Sequence, residues 1–161
     1  MINSTFRTPG TFTKIAEFME TKNRIITIFT YIVRALLAYV YIPHGLEKLY
    51  TKINVQEYID FKLGQDFINF YLIWEKSGYI WVIGIAQFLG GVFLLFRKTC
   101  LFGAVWLLPI SIGMFCCHVF ISHAQDFLIF DLLVLILNLY LILLHFRSLA
   151  NTFFPPQNTW I

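Results

Sequence analysis

The chain has 161 residues, 58% of them hydrophobic and 13% charged, with a mean hydropathy of +0.71. A soluble domain of that size cannot cover so much apolar surface, so the excess must face lipid and a water-soluble fold is excluded. The formal net charge is only +3, and its basic residues are scattered through connecting segments with no stripe among them, which argues against nucleic acid as a partner.

The first 23 residues include Arg7, Lys14, Glu17, Glu20 and Lys22. They lack the apolar core and the small-residue cleavage site of a signal peptide, so the N-terminus is expected to be retained. Phe12, Ile15, Ala16 and Met19 follow the i, i+3, i+4, i+7 spacing of a short amphipathic helix lying at the interface and leading into the first span. A helix crossing roughly 30 Å of hydrocarbon needs about 20 mostly apolar residues. Four stretches qualify, at about 24–45, 78–96, 100–121 and 126–146. The expected fold is all-α: a four-transmembrane-helix bundle in a single integral membrane domain, residues 1–161, with no internal repeat and no flexible linker.

Orientation follows from Lys and Arg, which the cytoplasmic side retains. Arg7, Lys14, Lys22 and Arg24 precede the first span, Arg97 and Lys98 join the second to the third, Arg147 follows the fourth, and the link between the third and fourth has neither residue. Both termini are therefore expected in the cytoplasm, with the protein in the cytoplasmic (inner) membrane. In the long outer connection, Asn54 followed by Glu57 has the spacing of a helix N-cap and its capping-box partner, and Gly64 is placed to end that helix. The run Phe67 to Trp74 is too short to span and rich in aromatics; both segments are expected on the outer membrane surface as a lid.

The second span carries Gly84, Gln87 and Gly91 on one face, with Ala86 and Gly90 beside them as a small-x-x-x-small pair, so it can approach a neighbour closely. Pro109 removes a backbone donor inside the third span, and Ser111 or a neighbour is expected to satisfy the freed carbonyl. Cys100, Cys116 and Cys117 form no C-x-x-C; they are expected to be free thiols, not a disulfide framework.

Polar side chains at membrane depth are costly, which makes them candidate functional residues. Counting from the cytoplasmic ends, Arg34, Gln87 and Asn138 each fall on the order of 12 to 15 Å into the core. Asp131 shares a face with Asn138, seven residues away. One reading is a buried polar cluster that sets helix packing. The other has Arg34 holding an anionic or carbonyl-bearing ligand, with Gln87 and Asn138 donating hydrogen bonds. A second cluster lies towards the outer face: His44, Glu47, Lys48, His118, His123 and Asp126. His118 and His123 are five apart, whereas a helical metal pair prefers three or four, so no metal site is expected; the histidines are read as interface residues satisfied by water or backbone, the alternative being that His44 and His118 meet a quinone head group or an ion.

Val33-Arg34-Ala35 followed by His44-Gly45-Leu46-Glu47-Lys48-Leu49, then Gln87-Phe88-Leu89-Gly90-Gly91 with Leu94-Leu95 and a basic turn, resembles the DoxX family. In that family the first helix carries an Arg and ends in an H-G-x-x-K-like turn, and the second carries E-x-x-G-G. The resemblance covers roughly residues 28 to 120 and implies a four-helix membrane bundle, with some members serving quinone-coupled or thiol redox systems. Gln87 stands where the pattern has Glu, and an amide does not titrate, so a proton relay through this position is not expected. The function these features imply is a membrane subunit of a redox system that binds a quinone or a partner oxidoreductase between its helices. The alternatives are a non-catalytic packing or assembly subunit of a larger membrane complex, and a carrier or receptor for a lipid or exported protein.

Overall fold

The computed structural model describes residues 9–153, which form seven α-helices and, among the described residues, no strand. The chain divides into two compact units, residues up to Ile32 and residues from Val33 onward. The helix α1 runs from Pro9 to Tyr50 without a break, so the short interfacial helix expected at the N-terminus is not a separate element. The side chains of Phe12, Ile15, Ala16 and Met19 lie outside the described residues. Within the first unit, Thr27 and Thr30 each return their hydroxyl to the carbonyl four residues back at 2.8 Å, the usual way such residues satisfy themselves on a helix facing lipid.

The second unit begins inside α1 and continues through α2 (Val55–Asp60) and α3 (Gln65–Ser77), then α4 (Tyr79–Leu95) and α5 (Cys100–Cys117). A π-helical stretch, His118–Ser122, extends α5, and α6 (Gln125–Leu144) and α7 (Phe146–Phe153) follow. Hydropathy located the apolar helices closely. The expected 78–96, 100–121 and 126–146 correspond to Tyr79–Leu95, Cys100–Ser122 and Gln125–Leu144. Among the described residues three helices are long and apolar enough to cross a membrane: Glu20–Tyr50, Cys100–Ser122 and Gln125–Leu144. The helix α4 has 17 residues, or about 25 Å; it reaches a full span only together with α3, from which it turns through 91°. Gly78 makes that turn. It sits at φ 75°, a left-handed conformation that glycine adopts without steric cost, and its N–H returns to the Glu75 carbonyl at 3.0 Å.

One expectation for the outer connection changes. Asn54 does cap α2, accepting from the Gln56 N–H at 3.2 Å, but Gly64 does not end that helix. The chain leaves α2 through Phe61 and Lys62, the latter at φ 57°, and Gly64 instead precedes α3 with an extended backbone. The helix α3 buries Phe67, Ile68 and Tyr71, the face by which it covers the bundle.

Helix packing rests on glycine. A Cβ on Gly45 of α1 would lie 2.6 Å from the Phe88 nitrogen and 2.7 Å from the Gly84 carbonyl of α4, closer than real atoms approach. One on Gly90 would meet Leu107 of α5 at 2.5 Å. The two small faces of α4 thus admit α1 on one side and α5 on the other. Between them lies a core of Val33, Leu37, Ala38, Leu94, Ala104, Leu107, Val134 and Leu141. Outside, Tyr39, Trp81, Val82, Phe102, Leu133 and Leu143 are exposed; apolar side chains of that size on an outer surface are what a bilayer covers.

Candidate functional site

The polar face of α1 is spaced by sevens: Arg34, Tyr41 and Lys48 stand one above another. The buried Tyr41 reaches α5, where its hydroxyl hydrogen-bonds Ser111 Oγ. Ser111 donates its own proton to the Leu107 carbonyl at 2.9 Å, so it must accept from Tyr41. It accepts as well from Asn138 Nδ2 of α6 at 3.4 Å, while Nδ2 also donates to the Ala104 carbonyl at 3.1 Å. One proton and two lone pairs are then all in use. The hydroxyl of Ser111 serves the Leu107 carbonyl, and α5 runs on through Pro109; the carbonyl that Pro109 frees, four residues before it, is that of Val105 and not the one Ser111 serves.

Above this junction, towards the C-terminal end of α1, opens a cavity of about 500 Å³. Tyr41, Gln87 and Ser111 lie at its inner end, Lys48, His118 and Asp131 line its sides, and Glu47, Lys52, Glu57 and Asp126 add charge to its lining. Its outer wall is aromatic. Phe67 packs on Tyr71 with ring centroids 4.7 Å apart, and Tyr58 meets Tyr71 edge-on at 5.8 Å. The ring of His118 is stacked between Phe67 at 5.0 Å and Phe127 at 5.4 Å. Burial, with the charges of Glu47, Glu57 and Glu75 nearby, pushes the Tyr58 hydroxyl up to about 12, so it stays protonated at any physiological pH. The connection from α1 to α2 is tied to this wall by the Ile53 N–H, which donates to Glu75 Oε1 at 3.0 Å.

Several enclosed polar atoms here have no partner: Gln87 Oε1, His118 Nδ1, Asp131 Oδ2 and Asn138 Oδ1. His118 Nε2 stands 3.6 Å from Asp131 Oδ2, beyond hydrogen-bond length although both side chains are enclosed. Buried polar groups are nearly always paired, so four such atoms within one region mark a place suited to a ligand or water. A second, apolar groove of about 410 Å³ runs between α1 and α6 and shares Val40, His44, Phe130 and Val134 with the cavity.

The DoxX family model matches residues 29–124, more than half of the chain. The chain belongs to the DoxX family. No curated relative and no solved structure matches it. Membership makes this a multi-pass membrane protein in contact with the lipid bilayer. The DoxX motif residues acquire distinct tasks: Gly45 is the point of backbone contact with α4, while His44, Glu47 and Lys48 around it line the cavity.

The structure separates the residues that depth counting had placed in one layer. Arg34 does not line the cavity. Its Nε donates to the Leu94 carbonyl at 2.8 Å and its Nη2 to the Leu95 carbonyl at 2.7 Å, so it closes the C-terminal end of α4. Gln87 lies two helical turns earlier on α4, in the cavity; Asp131 is in the cavity, and Asn138 is joined to it through Ser111. Counting took Arg24 as the membrane edge, whereas the end of α4 meets α1 at Arg34. Of the outer cluster, His44, Glu47, Lys48, His118 and Asp126 share the cavity, with His44 Nδ1 3.4 Å from Glu47 Oε2 on an exposed part of its rim. His123 does not line it; it sits exposed at φ 54° where the π-helical stretch ends. Cys116 and Cys117 are free thiols. Among the described residues no three His, Cys, Asp or Glu side chains converge as metal ligands. Tyr41, Ser111, Tyr58 and Tyr71 had not been singled out as site residues. Seven-residue spacing from Arg34 was the available signal for Tyr41; the others depend on which helices become neighbours.

Proposed function

We propose that this DoxX-family protein crosses the cytoplasmic membrane four times, with both termini inside, and binds a ring-bearing lipophilic redox carrier of the quinone class. The topology is supported by the basic residues at the N-terminus, the second turn and the end of α6, and by the bent pair α3–α4 serving as one crossing. One observation carries the ligand reading: a cavity of about 500 Å³, walled by aromatic rings, has in its lining three enclosed polar groups with an unpartnered atom, on Gln87, His118 and Asp131. Its volume falls within the roughly 300–1,000 Å³ of small-molecule sites. Aromatic rings of the lining, Tyr58, Tyr71 and Phe130 among them, suit a planar head group, and the Gln87 amide and the Lys48 ammonium are the donors that a ring carbonyl would meet. The apolar groove between α1 and α6, adjoining the cavity, suits an isoprenoid tail leading to the bilayer.

Bound, such a carrier would supply electron-transfer chemistry; the protein's part is to orient the ring, shield it from water and hold protonable groups beside it. Mass spectrometry of lipids extracted from protein purified in mild detergent tests this. A quinone should be recovered near stoichiometry and lost on Gln87→Leu. Recovery of phospholipid alone would replace this reading by lipid carriage, and recovery of neither would overturn both.

A further inference from the structure

We infer that the cavity selects its carrier in the reduced, dihydroxy form, because the enclosed atoms left without a partner in its lining include two oxygens, Gln87 Oε1 and Asp131 Oδ2, that accept hydrogen bonds. This deepens the quinone-class reading and rests on it.

The donor count follows from the geometry. Ser111 spends its proton on the Leu107 carbonyl, so Tyr41 must spend its own on Ser111 and faces the cavity with lone pairs alone. Asn138 is oriented by its Nδ2, which gives to Ala104 and Ser111, and so contributes no donor to the cavity. Asp131 Oδ2 is enclosed and unpartnered, and an ionised carboxylate only accepts. The neighbouring His118 ring has its Nε2 3.6 Å from that oxygen and its Nδ1 enclosed without a partner. His118 is only 4% exposed and Gln87 3%, so water from the open side does little for either. Against these stand the enclosed Gln87 amide and the Lys48 ammonium, which already gives to the His44 carbonyl at 3.4 Å, and the less buried Thr51, Lys52 and Tyr58.

A ring dione brings acceptors alone and would set its oxygens against lone pairs. The corresponding diol brings two O–H donors of the kind this arrangement lacks. One hydroxyl directed at Asp131 forms a charge-assisted bond, the strongest single contact the cavity offers. A site built to receive a hydroxyl discriminates against the analogue that lacks it, since its acceptors are then left buried and bare.

The experiment is a pair of anaerobic titrations of the purified full chain with a decyl-substituted benzoquinone and with the same compound reduced to its hydroquinone, following quenching of tryptophan fluorescence. The hydroquinone should bind at least about tenfold more tightly, the value of one charge-assisted hydrogen bond. Asp131→Asn replaces one acceptor oxygen by an NH₂ donor at constant shape and should reduce that preference to about parity by weakening the hydroquinone and strengthening the quinone. Equal or tighter binding of the quinone to the unaltered protein overturns the inference and leaves the quinone-class site standing. Failure of both compounds to bind overturns the site itself. The wild-type comparison needs no variant, so a poorly folding Asp131→Asn does not blunt the test.

Discussion

The two ends of the bundle treat polar groups in opposite ways. Where α4 ends, Arg34 donates to the Leu94 and Leu95 carbonyls and Thr99 donates to the Phe93 carbonyl at 2.9 Å, all between close-packed helices. Where α1 ends, Gln87, His118 and Asp131 surround a cavity, each with a buried atom lacking a partner. Both arrangements carry the cost of polar groups at membrane depth. At the Arg34 end hydrogen bonds offset it, and the result is rigidity; at the cavity end the cost remains, as it does where a protein is shaped for something outside itself. A charge within the membrane is therefore no guide to a binding site until its partners are known.

The sharpest way to break the packed region is at the α1–α4 contact. Gly45→Ala places a Cβ 2.6 Å from the Phe88 nitrogen, and backbone cannot yield as a side-chain tip can. A loss of about 2–3 kcal/mol is expected, or failure to fold, read as a fall in the thermal midpoint in detergent. Gly113 is the control. Nothing lies within 4 Å of a Cβ there, so Gly113→Ala should raise stability by about 0.5–1 kcal/mol. Equal behaviour of the two variants would show that the helices do not meet where the glycines place them.

Arg34→Met comes next. It removes two hydrogen bonds from a charged donor to carbonyls of α4, each worth roughly 1.5–3 kcal/mol, so stability should fall by about 3 kcal/mol, read as a lower thermal midpoint in detergent. Hydroquinone affinity of the folded fraction should be unchanged, because Arg34 lies outside the cavity. A selective loss of binding with stability intact would instead make Arg34 a ligand residue.

Much of this architecture was legible in the residues. Hydropathy is a local property, and it placed the bounds of α4, α5 and α6 within a few positions of Tyr79–Leu95, Cys100–Ser122 and Gln125–Leu144. The small residues of α4 showed which helix its neighbours approach closely, and Arg34, Gly45 and Gln87-Phe88-Leu89-Gly90-Gly91 showed the family. What was not legible depends on how helices are offset along one another. Depth counted from charged residues put Arg34 beside Gln87, because nothing in the residues told that α1 meets the end of α4 at Arg34 and not at Arg24. The bend at Gly78 was equally hidden: glycine there is compatible with a turn of many angles, and no local pattern gives the observed 91°. Tyr58 and Tyr71 reach the cavity through the placement of α2 and α3 on the bundle, so they had no earlier signal.

Gln87→Leu sharpens the contrast between the two ends. An enclosed Oε1 without a partner destabilises the fold, and an apolar side chain of similar shape should leave stability unchanged or raise it by about 1 kcal/mol. Quinone occupancy should fall about tenfold. Stability and binding then move in opposite directions, whereas Arg34→Met lowers stability alone. A Gln87→Leu protein that melts earlier would place this residue with the structural polar groups.

The smallest effect expected is one of pH at the cover of the cavity. Tyr58 is held well above its ordinary value of 10, at about 12, chiefly by burial and then by Glu47, Glu57 and Glu75. Its folded value is the higher, so the neutral hydroxyl contributes stability fully below pH 10, and that contribution fades as pH climbs towards 12. Across the physiological range the Tyr58 contacts with Phe67 and Tyr71 should therefore show no titration at all. Phenolate absorbance recorded from neutral to strongly alkaline pH, with Tyr58→Phe subtracted, should reveal one late-titrating ring whose ionisation coincides with release of bound hydroquinone. A difference spectrum that titrates at the ordinary tyrosine value would mean that α2 and α3 do not close over this ring, and the aromatic wall of the cavity would lose its outer edge.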